Sequence, residues 1–443
     1  MTPPSLRVAA LVDLERSPQA GGHVKCWERL AQAAAEVRDG PLDLTVFFSG
    51  PASRDEDLAP HVRLRHVPRV FSTKNLRLPY VPDHTDLAPF NPTLARALGA
   101  YDVLHTTEGF FSFSRTAERV SRQTGAALVT SFHTDVPAYA RIFTAKTIEH
   151  IFGQGLVTRV LRDTLRMPER QERRMVGRLH RHLSRCQAAL VARREDHHLA
   201  EGVLGPARVH IMRLGVDKAL FAPTRADRAA LMARYGIPPD RFILLFVGRL
   251  DVGKNILTLV EAVETLKAEG LPVHLIAAGQ GPAEATIRQR LGDSVTLPGF
   301  VAPADLAPLY ASVDLFTLPS EVEIRSMAVG EALASGCPVV SAAKSGIAPL
   351  FNAGTAIGVV DGGGHAWAHA LRQVILDPAV RQGMRQAARH YGQTRLATWG
   401  DVLMDDVLGS WQDAARERRA GTPARKGLRT WSEGTQATKN RRT

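Results

Sequence analysis

Residues 242–255 read Phe-Ile-Leu-Leu-Phe-Val-Gly-Arg-Leu-Asp-Val-Gly-Lys-Asn, and this stretch decides the fold. Six consecutive apolar residues that end at Gly248 are typical of a strand that is buried on both faces. The glycine loop leads into residues from about Asn255 to Glu269, which we predict to be a helix. A buried strand, a short loop and a helix form the repeating unit of a parallel sheet that helices cover on both faces.

The same unit recurs on both sides of this stretch. In the second half we predict strands at 273–278, 295–297 and 315–318, another from Val339, and helices after 279–282, around 305–312 and at 326–334. In the first half we predict strands at 7–12, 44–48, 103–105, 127–132, 188–191 and 209–212, a helix at 24–37, and a largely helical segment at 141–185. Each half is therefore predicted to be a doubly wound α/β domain. Such sheets bind ligands at the carboxyl ends of their strands, so we expect a site in the cleft between the two domains.

Composition agrees with two folded domains. The chain has 443 residues, of which 44% are apolar, and this excludes a globally disordered protein. Its three cysteines are far apart, which argues against a disulfide scaffold or a zinc site and fits a reducing compartment. The amino terminus lacks a secretory pattern, and the apolar runs are too short to span a bilayer. We therefore expect a cytoplasmic protein, with peripheral association at the inner membrane face as a further hypothesis.

The net charge of +12 is concentrated in two segments. Residues 156–185 hold nine arginines and three acids, and residues 413–443 hold nine basic residues and three acids. Such patches attract anionic partners. The domains are expected at 1–213 and 214–394, followed by a helix at 395–413 that crosses back to the first domain and a basic disordered tail at 414–443.

Two cations stand in the loop of the deciding stretch. Arg249 and Lys254 lie between a strand and a helix, where the helix's own N–H groups add positive potential, so we predict a site for a diphosphate. The alternative is a solvated loop with two surface cations. The Gly279-Gln-Gly281-Pro282 turn follows the next strand, but alone it is not specific, and a dinucleotide-binding G-x-G-x-x-G fingerprint is missing.

Two carboxylates, Glu323 and Glu331, are the next candidates. Glu331 lies in the apolar run 328–334, where a carboxylate is costly without a partner, and a ribose diol can be that partner. Glu323 precedes the helix, where it can meet a polyol or a developing positive charge. The alternative is one surface glutamate and one structural glutamate that pairs with an arginine.

His133 and the Gly21-Gly22 turn are the candidates in the first half. His133 follows a predicted strand, so it is expected to face the cleft and to act as a proton relay or to contact a hydroxyl, although a structural histidine fits equally well. Gly21 and Gly22 allow a phosphate or substrate to approach backbone N–H groups, or they form an ordinary loop.

Five motifs in this order resemble those of the retaining glycosyltransferases of family 4, which have the GT-B fold. The resemblance runs from about Arg7 to Trp411. The motifs are Gly-Val-Asp-x-x-x-Phe-x-Pro (215–223), Gly-Arg-Leu-x-x-x-Lys-Asn (248–255), Gly-x-Gly-Pro (279–282), Gly-Phe-Val (299–301), and Pro-Ser-x-x-Glu-x7-Glu-Ala (319–332) with Gly-x-Pro-Val-Val (336–340). The implied fold is GT-B, with two Rossmann-like domains that face each other across a cleft.

The resemblance implies a role for each matching residue. Arg249 and Lys254 hold the donor's diphosphate and stabilise the leaving nucleoside diphosphate. Glu331 binds the ribose, Glu323 binds the donor sugar, and Val301 meets the base through its backbone. Because Arg249, Lys254 and a helix N-terminus supply the positive charge, neither a metal nor another cofactor is expected.

The remaining substrate contacts follow from the same resemblance. Gly21 and Gly22 line the phosphate and acceptor side, and His133 contacts the transferred sugar, so the expected catalytic residues are His133, Glu323, Arg249 and Lys254. Gly281, Ser326 and Met327 complete the substrate-binding set. Many family members have an aromatic residue and then glycine after the first glutamate, whereas this chain has Arg325 and Ser326 there, which leaves the donor sugar open.

The implied partners are a nucleotide-sugar donor and a lipid-linked or saccharide acceptor. Leucines and valines interleave with the arginines of 156–185, so this segment is a candidate for docking on an anionic membrane, or it is a solvated helix packed on the core. Two alternatives remain. The same fold can belong to a sugar-nucleotide epimerase or a phosphorylase, or the function can lie in the basic tail as an anion-binding module. The tail has Trp431 as its one aromatic residue, so nucleic acid is not an expected partner.

Overall fold

Two sheets, each flanked by helices, organise the described part of the chain. The computed structural model describes residues 5–37, 40, 42–51, 54–72, 86–320, 322–324, 326–343, 348–360 and 362–420. We call the first sheet with its helices the first lobe, and the second sheet with its helices the second lobe. Parallel pairing dominates both sheets, as the buried apolar strands predict.

The first sheet has eight described strands in the order β3-β4-β2-β1-β5-β6-β7-β8. They are β1 (Leu6–Glu15), β2 (Leu42–Gly50), β3 (Arg54–Ala59), β4 (Val62–Pro68), β5 (Val103–Thr106), β6 (Ala127–Ser131), β7 (Ala188–Val191) and β8 (Val209–Ile211). Val8 of the central β1 lies between Leu44 and Val103 of its two neighbours, and only the edge pair of β3 and β4 is antiparallel. This edge hairpin is an addition to the predicted strands. It is signalled by alternating buried residues in β4, Val62 and Leu64.

The first lobe has the predicted first helix and the predicted helical segment, together with three helices that were not predicted. Its helices are α1 (Gly22–Glu36), α2 (Pro92–Leu98), α3 (Ser112–Thr124), α4 (Val136–Phe152), α5 (Leu156–Arg159), α6 (Met167–Leu183) and α7 (Arg194–Leu204), of which α2, α3 and α7 were not predicted. A π-helical turn at Val160–Thr164 joins the region of α5 to that of α6. The segment expected to be largely helical is thus divided into separate helices.

The second sheet is wholly parallel among the described strands. Its strands are β9 (Phe242–Val247), β10 (Val273–Ala278), β11 (Val295–Gly299), β12 (Leu315–Leu318), β13 (Val339–Ala342) and β14 (Ala356–Val359). Their spatial order is β11-β10-β9-β12-β13-β14, so the chain reverses its direction of winding between β9 and β12. That reversal is the topological switch point at which doubly wound sheets bind ligands.

Helices cover both faces of the second sheet. They are α8 (Arg228–Tyr235), α9 (Ile256–Ala268), α10 (Glu284–Leu291), α11 (Pro303–Ser312), α12 (Met327–Ala334), α13 (Gly364–Leu376) and α14 (Pro378–Thr394). One face packs around Tyr310 and Phe316, and the other packs around Phe246 and Leu259.

The carboxyl-terminal segment returns to the first lobe. It comprises α15 (Trp399–Asp401), a π-helical stretch at Val402–Leu408 and α16 (Gly409–Ala420). Trp411 is buried in the core of the first sheet, and Asp406 accepts hydrogen bonds from the backbone and guanidinium of Arg213 at 2.9 Å each. The expected crossing helix at 395–413 therefore extends to Ala420. Residues 414–420, which we expected in the tail, are helical, and the rest of the tail lies outside the described residues.

Candidate functional site

The switch point of the second sheet brings two loops together. The loop after β9 carries Arg249 and Lys254, and the loop after β12 carries Glu323. Because β9 and β12 are neighbours in the sheet, their carboxyl ends open onto the same crevice. The positions therefore converge although 69 residues separate Lys254 from Glu323.

Lys254 and Glu323 form an ion pair at this point. The Lys254 Nζ donates to Glu323 Oε1 at 2.5 Å, and Glu323 is only 7% exposed. Burial lowers the pKa of Lys254, but the Glu323 carboxylate outweighs it, so the pKa of Lys254 is raised and the ammonium stays charged. The loop is held by Asp251, whose Oδ1 accepts the Lys254 backbone N–H at 3.0 Å. A cation is therefore fixed in a partly buried site beside a carboxylate.

Arg249 lies beside this pair with about half of its side chain exposed. Its Nη2 is 3.2 Å from Asp251 Oδ2, and its charge acts on Lys254. The Asp251 carboxylate thus positions both cations: it contacts the guanidinium of Arg249 and the backbone N–H of Lys254. Two positive groups side by side at a switch point are suited to a diphosphate.

The Gly279–Pro282 turn supports the cationic loop. A Cβ on Gly279 would lie 1.8 Å from the Gly248 carbonyl oxygen, and a Cβ on Gly281 would lie 2.4 Å from that of Leu250. The Leu250 N–H donates to the Gln280 carbonyl at 3.0 Å, which locks the two loops together. A side chain at either glycine would collide with the Arg249 loop, so packing alone accounts for both glycines. The role of Gly281 as a substrate contact remains a prediction.

Glu331 has a partner inside its apolar helix. α12 starts after Ser326, whose Oγ accepts the Val329 N–H at 3.4 Å, and the Tyr310 hydroxyl donates to Glu331 Oε2 at 3.1 Å. Burial raises the pKa of Glu331 to about 7, against the opposing effects of Tyr310 and of Arg29 from the first lobe. The charge of Arg29 thus acts on this carboxylate from the other lobe.

The segment from Glu323 to Met327 is where the lobes meet. Ile324 is 4% exposed and packs among Phe110 and Phe132 of the first lobe. A Cβ on Gly22 would lie 3.4 Å from Met327 Sδ, so the start of α1 also faces this segment. α1 begins without a side-chain cap, since its N-cap residue is Gly21. The loop that carries Glu323 is thus held from both sides. Arg325, the departure from the family pattern, lies outside the described residues.

His133 follows β6 in a cluster of rings. Its Nε2 accepts the Trp27 indole N–H at 3.2 Å and lies 2.8 Å from Ser131 Oγ, and its ring stacks on His23 at 4.5 Å. A cavity of about 210 Å³ opens between this ring and Ile324. His133 and Ile324 therefore line the same cavity between the lobes, and Ile324 directly follows Glu323 in the sequence.

Tyr139 is a site residue that the sequence did not reveal. It lies on α4, and a Cβ on Gly253 would lie 3.3 Å from its ring. Burial raises the pKa of its hydroxyl, which also senses Lys254, Glu323 and Arg249. The first lobe thus closes over the cationic loop. The one signal in the sequence is its position six residues after His133, on a helix that starts at the carboxyl edge of the sheet.

Val301 and a group of side chains on α7 complete the description of the site and its surroundings. Val301, the predicted base contact, is 9% exposed just beyond β11, whose Gly299 carbonyl accepts the Gly279 N–H at 2.8 Å. Among the described residues, one group of possible metal ligands is found, His197, His198 and Glu201 on α7. It is distinct from the Lys254–Glu323 pair.

This chain is similar to a family model and to proteins of known name. Residues 227–391 match the family model of glycosyl transferases group 1. The chain is 35% identical over 240 residues to D-inositol 3-phosphate glycosyltransferase of Kineococcus radiotolerans, an alignment of 48% of this chain and 55% of the relative. It is 28% identical to the protein of the same name from Thermobifida fusca, over 95% of this chain and 96% of the relative.

A solved structure matches the whole architecture. Sucrose-phosphate synthase from Thermosynechococcus elongatus superposes with a TM-score of 0.66 at 20% identity, over 94% of this chain and 100% of that chain. The fold is GT-B, as the sequence predicts, and the segment that matches the family model contains Arg249, Lys254, Glu323 and Glu331.

Proposed function

We propose that this chain is a retaining glycosyltransferase that moves a sugar from a nucleotide-sugar donor to a lipid-linked or saccharide acceptor. The observation that carries the proposal is the Lys254–Glu323 pair beside Arg249 at the switch point of the second sheet. The match to glycosyl transferases group 1 over residues 227–391 supports the reaction class. A charged pair in a cleft between two lobes fits a reaction that releases a diphosphate.

Arg249 and Lys254 bind the donor's diphosphate. The ammonium of Lys254 contacts Glu323 in the structure, and we infer that it turns to the phosphate oxygens when the donor binds. Charge-assisted hydrogen bonds of this kind are among the strongest that a protein offers. They strengthen as the bond to the diphosphate breaks, so they stabilise the transition state more than the bound donor.

Glu323 faces the transferred sugar once Lys254 has turned away. Its carboxylate accepts hydrogen bonds from sugar hydroxyls and stabilises positive charge at the anomeric carbon. In the transfer step, the anomeric carbon loses its bond to the diphosphate oxygen and gains one to the acceptor oxygen on the same face. The acceptor's proton leaves with the diphosphate. This route needs stabilisation of the leaving group more than a strong base.

The other predicted contacts surround this centre. Glu331 accepts hydrogen bonds from the ribose, and Val301 meets the base through its backbone. Ser326 and Met327 present N–H groups to the sugar. Gly21, Gly22 and Gly281 allow close approach along the phosphate path, and His133 contacts the sugar beside the cavity. Two curated relatives are named inositol phosphate glycosyltransferases, which makes a cyclitol hydroxyl one acceptor to examine.

A donor screen tests the proposal. Release of nucleoside diphosphate is measured for a panel of nucleotide sugars, with and without candidate acceptors, and the products are identified. Lys254→Ala and Glu323→Ala should abolish turnover, whereas Lys267→Ala in the last turn of α9 and Glu269→Ala just beyond it, both at exposed positions, should not. An epimerised nucleotide sugar formed without acceptor, or a sugar phosphate, would establish one of the other reactions on this fold instead.

A truncation separates the cleft from the basic tail. Residues 414–420 belong to α16, and Ala414 and Ala415 are buried, so the deletion should begin after Ala420. A catalytic cleft keeps its activity in this variant. A function that the tail drives is lost.

We also propose that the first lobe docks on an anionic membrane. Of fifteen exposed large apolar side chains in the described part of the chain, seven lie within residues 151–167. Leu156 is 76% exposed, and Arg159, Arg162 and Arg166 lie among these side chains. Apolar side chains that insert and arginines that meet lipid phosphates are the features of an interfacial helix.

The docking surface is shifted from the sequence prediction. Leu179 and Leu183, which we expected on the amphipathic face of 156–185, are buried in the core of the first lobe, so this part of α6 packs inward. The surface is therefore residues 151–167. No described helix has the length and apolar character that a bilayer crossing requires. Peripheral attachment of a cytoplasmic enzyme remains our hypothesis for its location.

A further inference from the structure

A chain of hydrogen bonds runs from the carboxyl-terminal helix to His133. Trp411 Nε1 lies 2.7 Å from His105 Nδ1, His105 Nε2 lies 2.8 Å from Ser131 Oγ, and Ser131 Oγ lies 2.8 Å from His133 Nε2. Trp411, His105 and Ser131 are each 0% exposed. The chain joins residues that are 306 positions apart in the sequence, and His133 is its one member at the cavity.

The tryptophan at the far end sets the direction of the first two bonds. An indole N–H can donate but cannot accept, so His105 Nδ1 must be the acceptor. Burial lowers the pKa of His105 to about 3, which keeps its ring neutral. A neutral imidazole carries one proton, and for His105 it is therefore on Nε2, from where it is donated to Ser131 Oγ.

The remaining bonds set the state of His133. Because Ser131 Oγ accepts from His105, its own hydrogen is directed to His133 Nε2. The Trp27 indole donates to the same nitrogen at 3.2 Å. His133 Nε2 thus receives two donors and must carry a lone pair, which leaves the ring proton on Nδ1.

We propose that Trp411 is a positioning residue, which acts through His105 and Ser131, together with the direct donor Trp27, to hold His133 as the neutral tautomer with its proton on Nδ1. The proposal rests on the proposed function for its kinetic consequence. In that reaction His133 is a hydrogen-bond donor toward an oxygen of the sugar, and its Nε2 takes no part as a base. Of the two roles predicted from the sequence, the hydroxyl contact fits this tautomer.

The geometry also gives the carboxyl-terminal segment a task at the site. It leaves the second lobe, crosses to the first and places one indole N–H against a buried histidine. Trp411 also stacks on Trp27, the other donor to the chain, with ring centroids 6.4 Å apart. The two indoles thus enclose the histidine and serine groups, and each end of the chain is a group that can only donate.

The tautomers can be observed directly. Nitrogen-15 NMR of the full chain labelled at histidine distinguishes protonated from unprotonated ring nitrogens, and His105→Gln and His133→Gln assign the two signals. We expect His105 to be protonated on Nε2 and His133 on Nδ1. In Trp411→Phe, which keeps a ring but removes the donor, His105 should become a mixture of tautomers. His133 keeps the Trp27 donor and its proton on Nδ1, but its Nε2 signal should shift as the hydrogen bond from Ser131 loses its fixed direction. Unchanged spectra would overturn the proposal.

Kinetics supply the second readout. Each variant removes one buried hydrogen bond from the chain that ends on His133, so kcat of Trp411→Phe and of Ser131→Ala should fall by about tenfold with little change in the KM for the donor. Ser131→Thr keeps the hydroxyl and should restore the rate. Trp399→Phe makes the same change in a buried tryptophan that packs on Gly215, and it should leave kcat and the tautomers unchanged.

The two proposals fail in different ways. If no donor is turned over by the wild type, the proposed transferase function fails, and the NMR result still decides the tautomers. If the wild type is active and Ser131→Ala and Ser131→Thr have equal rates, the positioning role fails while the transferase function stands. Ser131→Ala removes one buried oxygen, so it tests the chain even where Trp411→Phe does not fold.

Discussion

Lys254 and Glu323 form a 2.5 Å ion pair across the switch point of the second sheet, between the loop after β9 and the loop after β12. Each residue of the pair stabilises the other in a site that is partly closed to water. The same two groups are assigned to the diphosphate and to the sugar. Under the proposed function a donor has to separate a pair that the folded protein has already formed, and this would link stability to catalysis at one contact.

Removal of Lys254 should cost both stability and activity. Lys254→Met leaves the buried Glu323 without its counter-charge, and breaking a buried pair from one side costs about 3–5 kcal/mol. Adding Glu323→Gln to this variant should recover most of the loss in urea unfolding without recovering turnover. Lys267→Met, on the exposed end of α9, is the control. Equal stabilities of the single and double variants would contradict the pair's role.

Because of Glu331, the stability of the protein should fall and its affinity for the donor should rise as the pH increases. Burial raises its pKa to about 7 from 4.5, so the folded state holds the proton more tightly than the unfolded state. Its stabilising effect is complete below pH 4.5 and is lost as the pH rises through 7. Glu331→Gln should therefore gain about 1–3 kcal/mol over the wild type between these limits, measured by thermal unfolding.

The binding of donor should change in the other direction. A carboxylate accepts hydrogen bonds from a ribose better than a neutral acid does. The wild-type KM for the donor should fall as the pH rises through 7, and the KM of Glu331→Gln should stay nearly constant over the same range. Parallel pH profiles for the two proteins would rule out the ribose role of this residue.

Gly279 should tolerate no side chain, because the cationic loop occupies the space. In Gly279→Ala the new Cβ would lie 1.8 Å from the Gly248 carbonyl oxygen, and the backbone φ of +152° is one that glycine favours. The loop must shift, and with it Arg249 and Lys254, so donor binding measured by calorimetry should be lost. Gly99→Ala, where a Cβ meets nothing within 4 Å, should bind normally.

Ile324 should couple the closure of the lobes to the position of Glu323. It is a second-lobe residue that is buried among Phe110 and Phe132 of the first lobe. Ile324→Ala removes apolar contacts worth about 2–5 kcal/mol from the closed form. We expect a larger radius of gyration in solution scattering and a fall in kcat that exceeds any change in donor affinity. Leu376→Ala, at a side chain that is 61% exposed, should leave both quantities unaltered.

The sequence predicted the strands around the switch point of the second lobe because their signals are local. Phe242–Val247, Val273–Ala278 and Leu315–Leu318 are apolar runs that end at glycine or proline, and these strands have the predicted bounds. The candidates Lys254 and Glu323 could be predicted to meet because both follow strands of one parallel sheet. Their direct pairing depends on rotamers, which no spacing reveals.

The first lobe's part of the site depends on contacts between distant residues. Tyr139 reaches the Arg249 loop across the cleft, and Trp411 reaches His105 from 306 positions away. Neither residue lies in a motif, and the local pattern around each is that of an ordinary helix. Leu179 and Leu183 were expected on an exposed amphipathic face but are buried. The spacing of leucines and arginines along a helix does not show which face packs on the core. The tertiary structure decides such cases.

The arginines of α6 and those of the proposed docking surface have different neighbours, and this difference allows the docking proposal to be tested. On α6, Arg173, Arg174 and Arg181 are exposed, but its leucines are buried, so these arginines add charge without insertion. On the surface at 151–167, apolar side chains and arginines alternate. Leu156→Ser with Val157→Ser should therefore reduce flotation with acidic liposomes at least as much as charge reversal of the α6 arginines does.

The magnitude follows from the exposed apolar area. Leu156 and Val157 are 76% and 51% exposed, and burying a whole aliphatic side chain in an apolar phase is worth about 1.5–3 kcal/mol. The double serine variant should lose at least tenfold in liposome partitioning, since about 1.4 kcal/mol corresponds to a factor of ten. It should retain wild-type turnover with a soluble acceptor. Leu376→Ser, at a leucine of the second lobe that is 61% exposed, should leave partitioning unchanged. If the double variant floats like the wild type while Arg159→Glu does not, the attraction is electrostatic alone and no side chain inserts.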